Sequence, residues 1–237
     1  MLNKILKSIY LDKFLTTKKN VELLKLEYNI KIAQTMGRAA SLRDSETEAH
    51  NFRVSYLSGL LGQKLNLPKK QLQSLMKGAF LHDIGKIGIS DNILLKNGKL
   101  DDDEWEEMKL HPILGKELID NLPWFNDALD IIVHHHEKFD GTGYPDGLKE
   151  EKIPLNARLF AVIDVFDALV SKRPYKEPME KDKALKIIKS EKGTHFDPQM
   201  VDLFCDNIED IFDAVYKCSE DEIHILLVDK RKEIFKI

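Results

Sequence analysis

The chain contains three consecutive histidines that run into a glycine-rich turn, at residues 134–145: His134-His135-His136-Glu137-Lys138-Phe139-Asp140-Gly141-Thr142-Gly143-Tyr144-Pro145. A packed apolar core does not accommodate three adjacent imidazoles, because buried polar groups cost free energy unless they are paired. A site that holds several cations close together does need them, since imidazole is a common metal ligand. Together with His82-Asp83 upstream, the stretch predicts a helix that ends in a metal centre.

Hydrophobic periodicity on either side of this stretch predicts helices. Apolar or small residues recur three and four positions apart, for example at positions 23, 26, 30, 33, 37 and 40, and strand-like alternation is scarce before residue 222. We therefore predict an all-α fold with helices at about residues 21–42, 46–65, 69–83, 126–136, 155–170, 181–192 and 198–212. A further helix should begin at the acidic residues 101–104 and carry His111. The alternation of Ile223, Ile225 and Leu227 predicts a short C-terminal β-hairpin.

Length, composition and charge limit the kinds of protein this can be. A chain of 237 residues suits one medium domain with modest extensions. Its net charge of −4 gives no electrostatic reason to bind a nucleic acid polymer or an anionic membrane surface. No stretch approaches the roughly 20 apolar residues of a membrane span, and Cys205 and Cys218 follow no metal-ligand spacing. We expect a cytoplasmic protein with free thiols.

Histidines and carboxylates elsewhere in the chain extend the candidate metal site. Glu46 and His50 are four residues apart, so on a helix they share one face. His82 and Asp83 diverge by about 100° on a helix, so both reach one site only if it holds several metals or the helix end is distorted. More ligands of the same nitrogen and oxygen types are available at His111, His135, His136 and Asp164. Such a set suits Fe or Mn better than a closed thiolate zinc site.

These motifs resemble those of the HD-GYP family, the branch of the HD phosphohydrolase superfamily that degrades cyclic di-GMP in bacteria. The matching segments are residues 43–54, His82-Asp83-Ile84-Gly85-Lys86, His111-Pro112, residues 135–145, Asp164-Val165-Phe166-Asp167-Ala168-Leu169, Arg173-Pro174-Tyr175-Lys176 and Gly193-Thr194-His195-Phe196-Asp197-Pro198. Motifs of this length in this order are specific. The resemblance implies an HD-superfamily helical bundle, with a phosphodiesterase domain at residues 38–212, an N-terminal helical lead-in at residues 1–37 and a C-terminal extension at residues 213–237.

The resemblance also implies a site of two or three divalent first-row metal ions, most readily Fe or Mn. The residues that it assigns as ligands are His50, His82, Asp83, His111, His135, His136 and Asp164. In members with a third metal, the position that matches Glu46 is an added ligand, and here that position is filled. His134 lies outside the matched pair and is interpreted as a neighbouring residue.

A pair of metals explains how phosphodiester hydrolysis could occur at this site. Two cations that share a water lower its pKa and neutralise the phosphoryl oxygens, so a bridging hydroxide is the nucleophile. The catalytic residues are then Asp83, as the bridging carboxylate, and Lys86. Lys86, Arg173 and Lys176 are candidates for holding the phosphate oxygens. The glycines at 141 and 143 would turn with positive φ and let the backbone approach a ligand, and Gly143 with Tyr144 would form a substrate lip.

Three functions remain open from the sequence. The first is hydrolysis of cyclic di-GMP to the linear dinucleotide pGpG, to GMP, or to both. The second is hydrolysis of another cyclic dinucleotide, because groups that bind phosphate can be recognised in the sequence and groups that select bases mostly cannot. The third is a slow, metal-bearing module that binds the dinucleotide or docks a diguanylate cyclase through the turn around Tyr144. The apolar stripe at residues 23–40 packs either on its own domain or on a second subunit, as in a homodimer through the N-terminal helix.

Overall fold

The computed structural model describes residues 2–43, 48–172 and 177–236, with side chains from residue 18 onward. Its α-helices are α1 (Leu2–Ser41), α2 (Glu48–Lys64), α3 (Lys69–Leu81), α4 (Asp91–Leu94), α5 (Asp102–Met108), α6 (His111–Ile119), α7 (Leu129–His134), α8 (Leu155–Val170), α9 (Lys181–Ser190), α10 (Pro198–Tyr216) and α11 (Glu220–Phe235). Short 3-10 segments occupy Ile84–Gly88, Pro123–Ala128 and Glu150–Lys152. Over these ranges the only β-structure is an isolated bridge between Lys192 and Phe196. The all-α prediction is confirmed.

The core lies where α2, α3 and α8 pack together, with α10 and α11 closing its other sides. Each of these helices contributes fully buried apolar side chains, namely Leu57, Leu75, Phe160, Phe204 and Leu227. Because burial of apolar surface stabilises this arrangement by roughly 25 cal/mol per Å², the three central helices are held side by side. Polar residues on α2 and α8 and at the end of α3 are therefore brought to one place. None of the described helices has the length and apolarity that crossing a membrane requires.

The segment after α3 crosses the start of α6 at very short range. A Cβ atom at Gly85 would lie 1.8 Å from the backbone oxygen of His111, so only glycine allows the crossing. The predicted helix from residue 101 through His111 is wrong in its continuity: α5 ends at Met108, and His111 starts α6. The cause is Pro112, which lies in the first turn of α6 and would break a continuous helix.

The predicted C-terminal β-hairpin is wrong, because residues 220–235 form the helix α11. Ser219 and Glu222 form a capping box that starts the helix, which satisfies backbone N–H groups at its first turn. Ile223 and Leu227, four residues apart, are buried on the same face. Ile225, which suggested a period of two, is 59% exposed. The buried face of α11 packs on α2 and α3, so this segment contributes to the main core.

Among the side chains of α1 that the structure describes, the buried ones lie in the C-terminal half of the helix. Ala33 and Ala40 are buried there, and a Cβ at Gly37 would lie 2.6 Å from the ring of Phe80. Farther toward the N-terminus, Leu24 and Tyr28 are exposed. Within the apolar stripe, positions 33, 37 and 40 therefore pack on the chain's own domain, whereas Leu23 is 37% exposed. The helix runs without a break through residue 37, where the sequence placed a domain boundary.

Candidate metal centre

Seven of the predicted ligands form two adjacent groups of side chains. Within each group, one ligand atom per residue lies within 4.8 Å of the others. The first group, from α2, α3 and α8, consists of His50, His82 and Asp164. The second consists of Asp83, His111, His135 and His136. The spacing of these nitrogen and oxygen atoms fits one cation in each group.

Asp83 lies between the two groups and faces both. Its Oδ1 atom lies 3.2 Å from Nε2 of His111 and 3.6 Å from Nε2 of His135. Its Oδ2 atom lies 3.1 Å from Nε2 of His82. The buried Oδ1 atom has no hydrogen-bond partner among the described residues, although an unsatisfied buried carboxylate oxygen is costly. A carboxylate placed in this way fits the bridging ligand of a two-metal site.

The end of α3 explains how two adjacent residues reach the same site. His82 still has helical dihedrals, whereas Asp83 has φ −98° and ψ 12°, outside the helical region. The turn therefore rotates the carboxylate away from its helical direction. The sequence analysis required either a distorted helix end or a site with several metals. The distorted helix end is observed, and the two ligand groups support a site with several metals.

Backbone carbonyls orient three of the histidines. Nδ1 of His82 lies 3.0 Å from the carbonyl oxygen of Ala79. Nδ1 of His111 lies 2.9 Å from the carbonyl oxygen of Met108, and Nδ1 of His135 lies 3.0 Å from that of Ile131. Because a carbonyl only accepts hydrogen bonds, each Nδ1 must carry the proton. The lone pair of each Nε2 then faces the site, as metal ligation requires.

His50 is oriented by a buried carboxylate. Its Nδ1 donates to Oδ2 of Asp167 at 2.8 Å, and Arg53 holds Asp167 through two bonds of 2.7 and 2.9 Å. Burial by itself raises the pKa of Asp167, but the Arg53 guanidinium and the hydrogen bonds overcome this effect and hold the pKa below its usual range. An ionised partner keeps His50 in the correct tautomer and makes Nε2 a stronger ligand. Sequence reasoning assigned no role to Arg53.

We predict that Arg53→Met weakens metal binding about 10- to 100-fold, the range typical of lost outer-shell partners. Without the guanidinium, the buried Asp167 carboxylate loses its ion pair with Arg53 and keeps His50 and Ser171 among its described partners. Metal affinity measured by competition with a chelator tests this. Arg158→Met is the matched control, because Arg158 pairs with buried Asp197 at 2.5 Å without contacting a ligand. Equal metal affinity in the two variants would contradict the prediction.

Burial favours the neutral form of two histidines of the second group, His135 and His136. It lowers the pKa of His135, and burial together with the neighbouring His135 and His111 lowers the pKa of His136 well below its ordinary value. Asp83 behaves in the opposite way: burial raises its pKa, but His82 and Lys86 bring it well below the usual value. At neutral pH His135 and His136 are therefore neutral imidazoles, and Asp83 is an ionised carboxylate. These are the protonation states that metal binding needs.

Lys86 lies at the edge of this centre. Its Nζ atom is 2.7 Å from Oδ2 of Asp83, and its side chain is largely buried. An ammonium at this distance can neutralise charge on a bridging carboxylate or on a phosphate that arrives beside it. The prediction that Lys86 belongs to the site agrees with this position.

His134 points away from both ligand groups. Its Nε2 atom lies 3.0 Å from Oδ2 of Asp146, on the outer side of the turn. His135 and His136 face the second group instead. Of the three adjacent histidines, the two that sequence reasoning selected are the two at the site.

The loop after the histidines is packed closely against itself. The carboxylate of Glu137 accepts the backbone N–H groups of Asp146 at 2.8 Å and Leu148 at 3.0 Å. A Cβ at Gly143 would lie 2.3 Å from the backbone nitrogen of Lys138. Gly141 has the predicted positive φ, at 85°, whereas Gly143 does not. The prediction of a positive φ at Gly143 was therefore wrong. Glycine is required there because the neighbouring backbone leaves no room for a side chain.

Tyr144 forms one wall of the site. Its ring stacks on His136 at 4.8 Å with an interplanar angle of 25°, and the edge of Trp105 approaches it at 6.3 Å. Burial raises the pKa of Tyr144, so its hydroxyl remains a hydrogen-bond donor at neutral pH. The Tyr144-Pro145 peptide bond is cis. The position agrees with the predicted substrate lip.

The loop at residues 193–198 is hydrogen-bonded to the loop that follows the histidines. The backbone N–H of Phe139 donates to the oxygen of His195 at 3.0 Å, and that of Asp140 donates to the oxygen of Thr194 at 2.8 Å. The motif at residues 193–198 therefore holds the histidine-bearing loop in place. This motif was among the segments that resemble the family, but the sequence analysis assigned it no supporting role. Three other predicted site residues, Glu46, Arg173 and Lys176, lie outside the described residues.

We predict that Gly85→Ala destabilises the protein by about 3 kcal/mol and reduces metal content, since overpacking costs about 1–3 kcal/mol and this added methyl meets backbone. The methyl would lie 1.8 Å from the oxygen of His111, which would displace a ligand-bearing helix. Denaturant unfolding and metal analysis measure both effects. Gly88→Ala is the control, because its Cβ would meet only the flexible side chain of Leu114 at 3.0 Å. An unchanged Gly85→Ala variant would refute the close crossing.

Fold and site together define a class of protein: an all-helical bundle whose core helices present histidines and aspartates for a multi-metal centre. A family model described as "HD domain" matches residues 34–200. The chain therefore belongs to the HD domain family, and the resemblance to its HD-GYP branch is confirmed.

Curated relatives and a solved structure agree with this family. The cyclic di-GMP phosphodiesterase response regulator RpfG of Xanthomonas campestris is 46% identical over 70% of this chain and 45% of its own length. A cyclic di-GMP phosphodiesterase of Thermotoga maritima is 38% identical over 93% of this chain and 61% of its own length. The chain thus spans about half the length of these relatives. A cyclic GMP-AMP specific phosphodiesterase of Vibrio cholerae shares the fold, with a TM-score of 0.63, 19% identity, and coverage of 82% of this chain and 53% of that one.

Proposed function

We propose that this protein is a metal-dependent phosphodiesterase that hydrolyses cyclic di-GMP to pGpG, GMP or both. The observation that carries the proposal is the placement of Asp83, with one oxygen facing each of two groups of ligands. A two-metal arrangement suits phosphodiester hydrolysis, because the bound pair supplies a hydroxide nucleophile and neutralises phosphoryl charge. The names of the two curated relatives support cyclic di-GMP as the substrate.

The chain's own residues would bind and orient the diester. Lys86, beside Asp83, would pair with a non-bridging phosphate oxygen. Arg173 and Lys176, assigned by the family-like motif, would hold the other phosphate oxygens. Tyr144 offers a ring and a protonated hydroxyl at the mouth of the site, next to His136. The Trp105 ring contacts Tyr144 edge-on at 6.3 Å and would help to hold it in place.

We propose Fe or Mn as the metals. The described donors are imidazole nitrogens and carboxylate oxygens, and no cysteine takes part. Such donors fit first-row divalent ions in high coordination. Two ions would be held by the two ligand groups, and Glu46 would be the added ligand if a third is bound.

Turnover of a cyclic dinucleotide panel tests the substrate. We expect the metal-loaded protein to hydrolyse cyclic di-GMP at least ~10-fold faster, as kcat/KM, than cyclic GMP-AMP or cyclic di-AMP, which is about 1.4 kcal/mol of discrimination. The Lys86→Met variant should lose rate on every dinucleotide, because it removes a phosphate contact. Faster turnover of a different dinucleotide would favour the second hypothesis, since the same fold carries a cyclic GMP-AMP enzyme.

A third hypothesis, a slow module that binds cyclic di-GMP or docks a diguanylate cyclase, predicts a different result. Such a protein would bind the dinucleotide with full metal content and show no turnover. The seven residues that form the two described ligand groups favour the enzyme instead.

Assembly and location complete the proposal. The exposed Leu24 and Tyr28 on α1 support a homodimer through the N-terminal helix, and a cyclic di-GMP substrate supports a cytoplasmic location. The division into residues 1–37, 38–212 and 213–237 stays a prediction. Sedimentation of wild type against Leu24→Glu tests the dimer, which the variant should dissociate.

A further inference from the structure

A groove of about 190 Å³ runs between α1 and α11, away from the metal ligands. Its walls carry three cations, Lys31, Arg231 and Lys232, and one carboxylate, Glu27. Apolar and neutral residues of both helices form the rest of its lining. The groove is therefore a positively charged slot with an apolar body.

Arg231 is the unusual member of this groove. The residue is only 8% exposed, and its guanidinium lies over the ring of Phe80 at 4.7 Å. Its Nη1 atom is buried with no hydrogen-bond partner among the described residues. Burial lowers the pKa of Arg231 to about 10, and no carboxylate of the described residues offsets that effect. A guanidinium remains charged at such a pKa, so a buried positive charge that contacts the Phe80 ring lines the groove without an ion-pair partner among the described residues.

A buried charge without a partner is costly, and apolar residues of similar volume in its place are often neutral or stabilising. Residues that lower stability in this way are typical of sites that bind a ligand. The guanidinium has a planar fork of donors that matches a carboxylate or a phosphate. Lys31 and Lys232 at the rim would attract the same charge. Ile30 and Val228 provide apolar contact beside it.

We propose that the groove between α1 and α11 is a binding site for a small organic anion, whose carboxylate or phosphate group pairs with Arg231 and whose apolar body packs against Ile30 and Val228. The site is separate from the phosphodiesterase centre and does not depend on that assignment. Its volume of about 190 Å³ suits a single substituted ring.

Calorimetric titration with benzoate and with phenylphosphonate tests the site, because the two probes share a ring and differ in the anionic group. We expect wild type to bind at least one of them at millimolar concentration or tighter, and Arg231→Met to bind at least tenfold more weakly. Binding of benzoate alone identifies a carboxylate ligand, and binding of phenylphosphonate alone identifies a phosphate ligand. Lys230→Met is the control for charge, and it should retain the affinity of wild type because Lys230 precedes Arg231 on α11, pairs with Glu233 and does not line the groove.

Stability provides an independent check on folding. Unliganded Arg231→Met should melt at or above the temperature of wild type, because it removes an unpaired buried charge. The anion should raise the melting temperature of wild type and leave that of the variant unchanged. Absence of binding by wild type, or equal binding by the variant, would overturn the proposal. Anion binding at the metal centre would persist in the variant, so it is distinguished by the same comparison.

Discussion

Replacing Asp83 with asparagine is expected to remove bound metal from both ligand groups and to lower turnover of cyclic di-GMP by at least ~1,000-fold, about 4 kcal/mol of transition-state stabilisation. Asparagine keeps the shape of the side chain and removes its negative charge. Asp83 contacts His111 through Oδ1 and His82 through Oδ2, so one substitution affects both groups. Elemental analysis and initial rates on the same preparation measure the two effects together.

Asp146→Asn is the matched control for this prediction. Asp146 pairs with His134 on the outer side of the turn, so its substitution changes charge nearby without touching a ligand atom. We expect native metal content and rates within about twofold of wild type. Full metal content in Asp83→Asn would show that the carboxylate does not bridge the two groups.

The second large effect is expected from adjacent histidines. His135→Gln should lose the metal of the second group and reduce turnover at least ~100-fold, whereas His134→Gln should leave both nearly unchanged. His135 is buried, with Nε2 3.6 Å from Asp83, whereas His134 faces Asp146. Losses larger than the 10- to 100-fold range of outer-shell changes are expected for a direct ligand.

Metal content by elemental analysis and rates under anaerobic conditions measure this difference. Because the two residues are neighbours of the same type, general effects on folding should be similar. Equal losses in the two variants, or a greater loss in His134→Gln, would show that the loop is oriented differently from the structure.

Much of the fold could be predicted because apolar residues recur three and four positions apart in the segments that form helices. The predicted helix at residues 155–170 coincides with α8, and that at 181–192 overlaps α9 closely. Local patterns determine such elements, since burial of one face imposes the 3-4 spacing of apolar residues.

The C-terminal helix shows where periodicity over a few residues fails. Ile223, Ile225 and Leu227 fit a strand, yet α11 buries only the first and last of them. The better signal was the capping box of Ser219 and Glu222, which lies just before the apolar residues. Tertiary packing against α2 and α3 then favoured the helix.

The residues that come together in the candidate metal centre could be selected from the sequence, but their division into two groups could not. Residues far apart in sequence, such as His50 and Asp164, meet only when α2 and α8 pack. The same is true of Arg53, whose partner Asp167 is more than one hundred residues away. The spacing of residues within one helix shows which side chains share a face of that helix. A metal centre built from several helices and loops depends on how those elements pack together.

The most direct test of the account is metal and product analysis of anaerobically purified protein. The account predicts two or three equivalents of Fe or Mn per chain, and consumption of cyclic di-GMP to pGpG or GMP. Chelation should abolish that turnover and added metal should restore it. Undiminished turnover of cyclic di-GMP by protein that contains no metal would contradict the account.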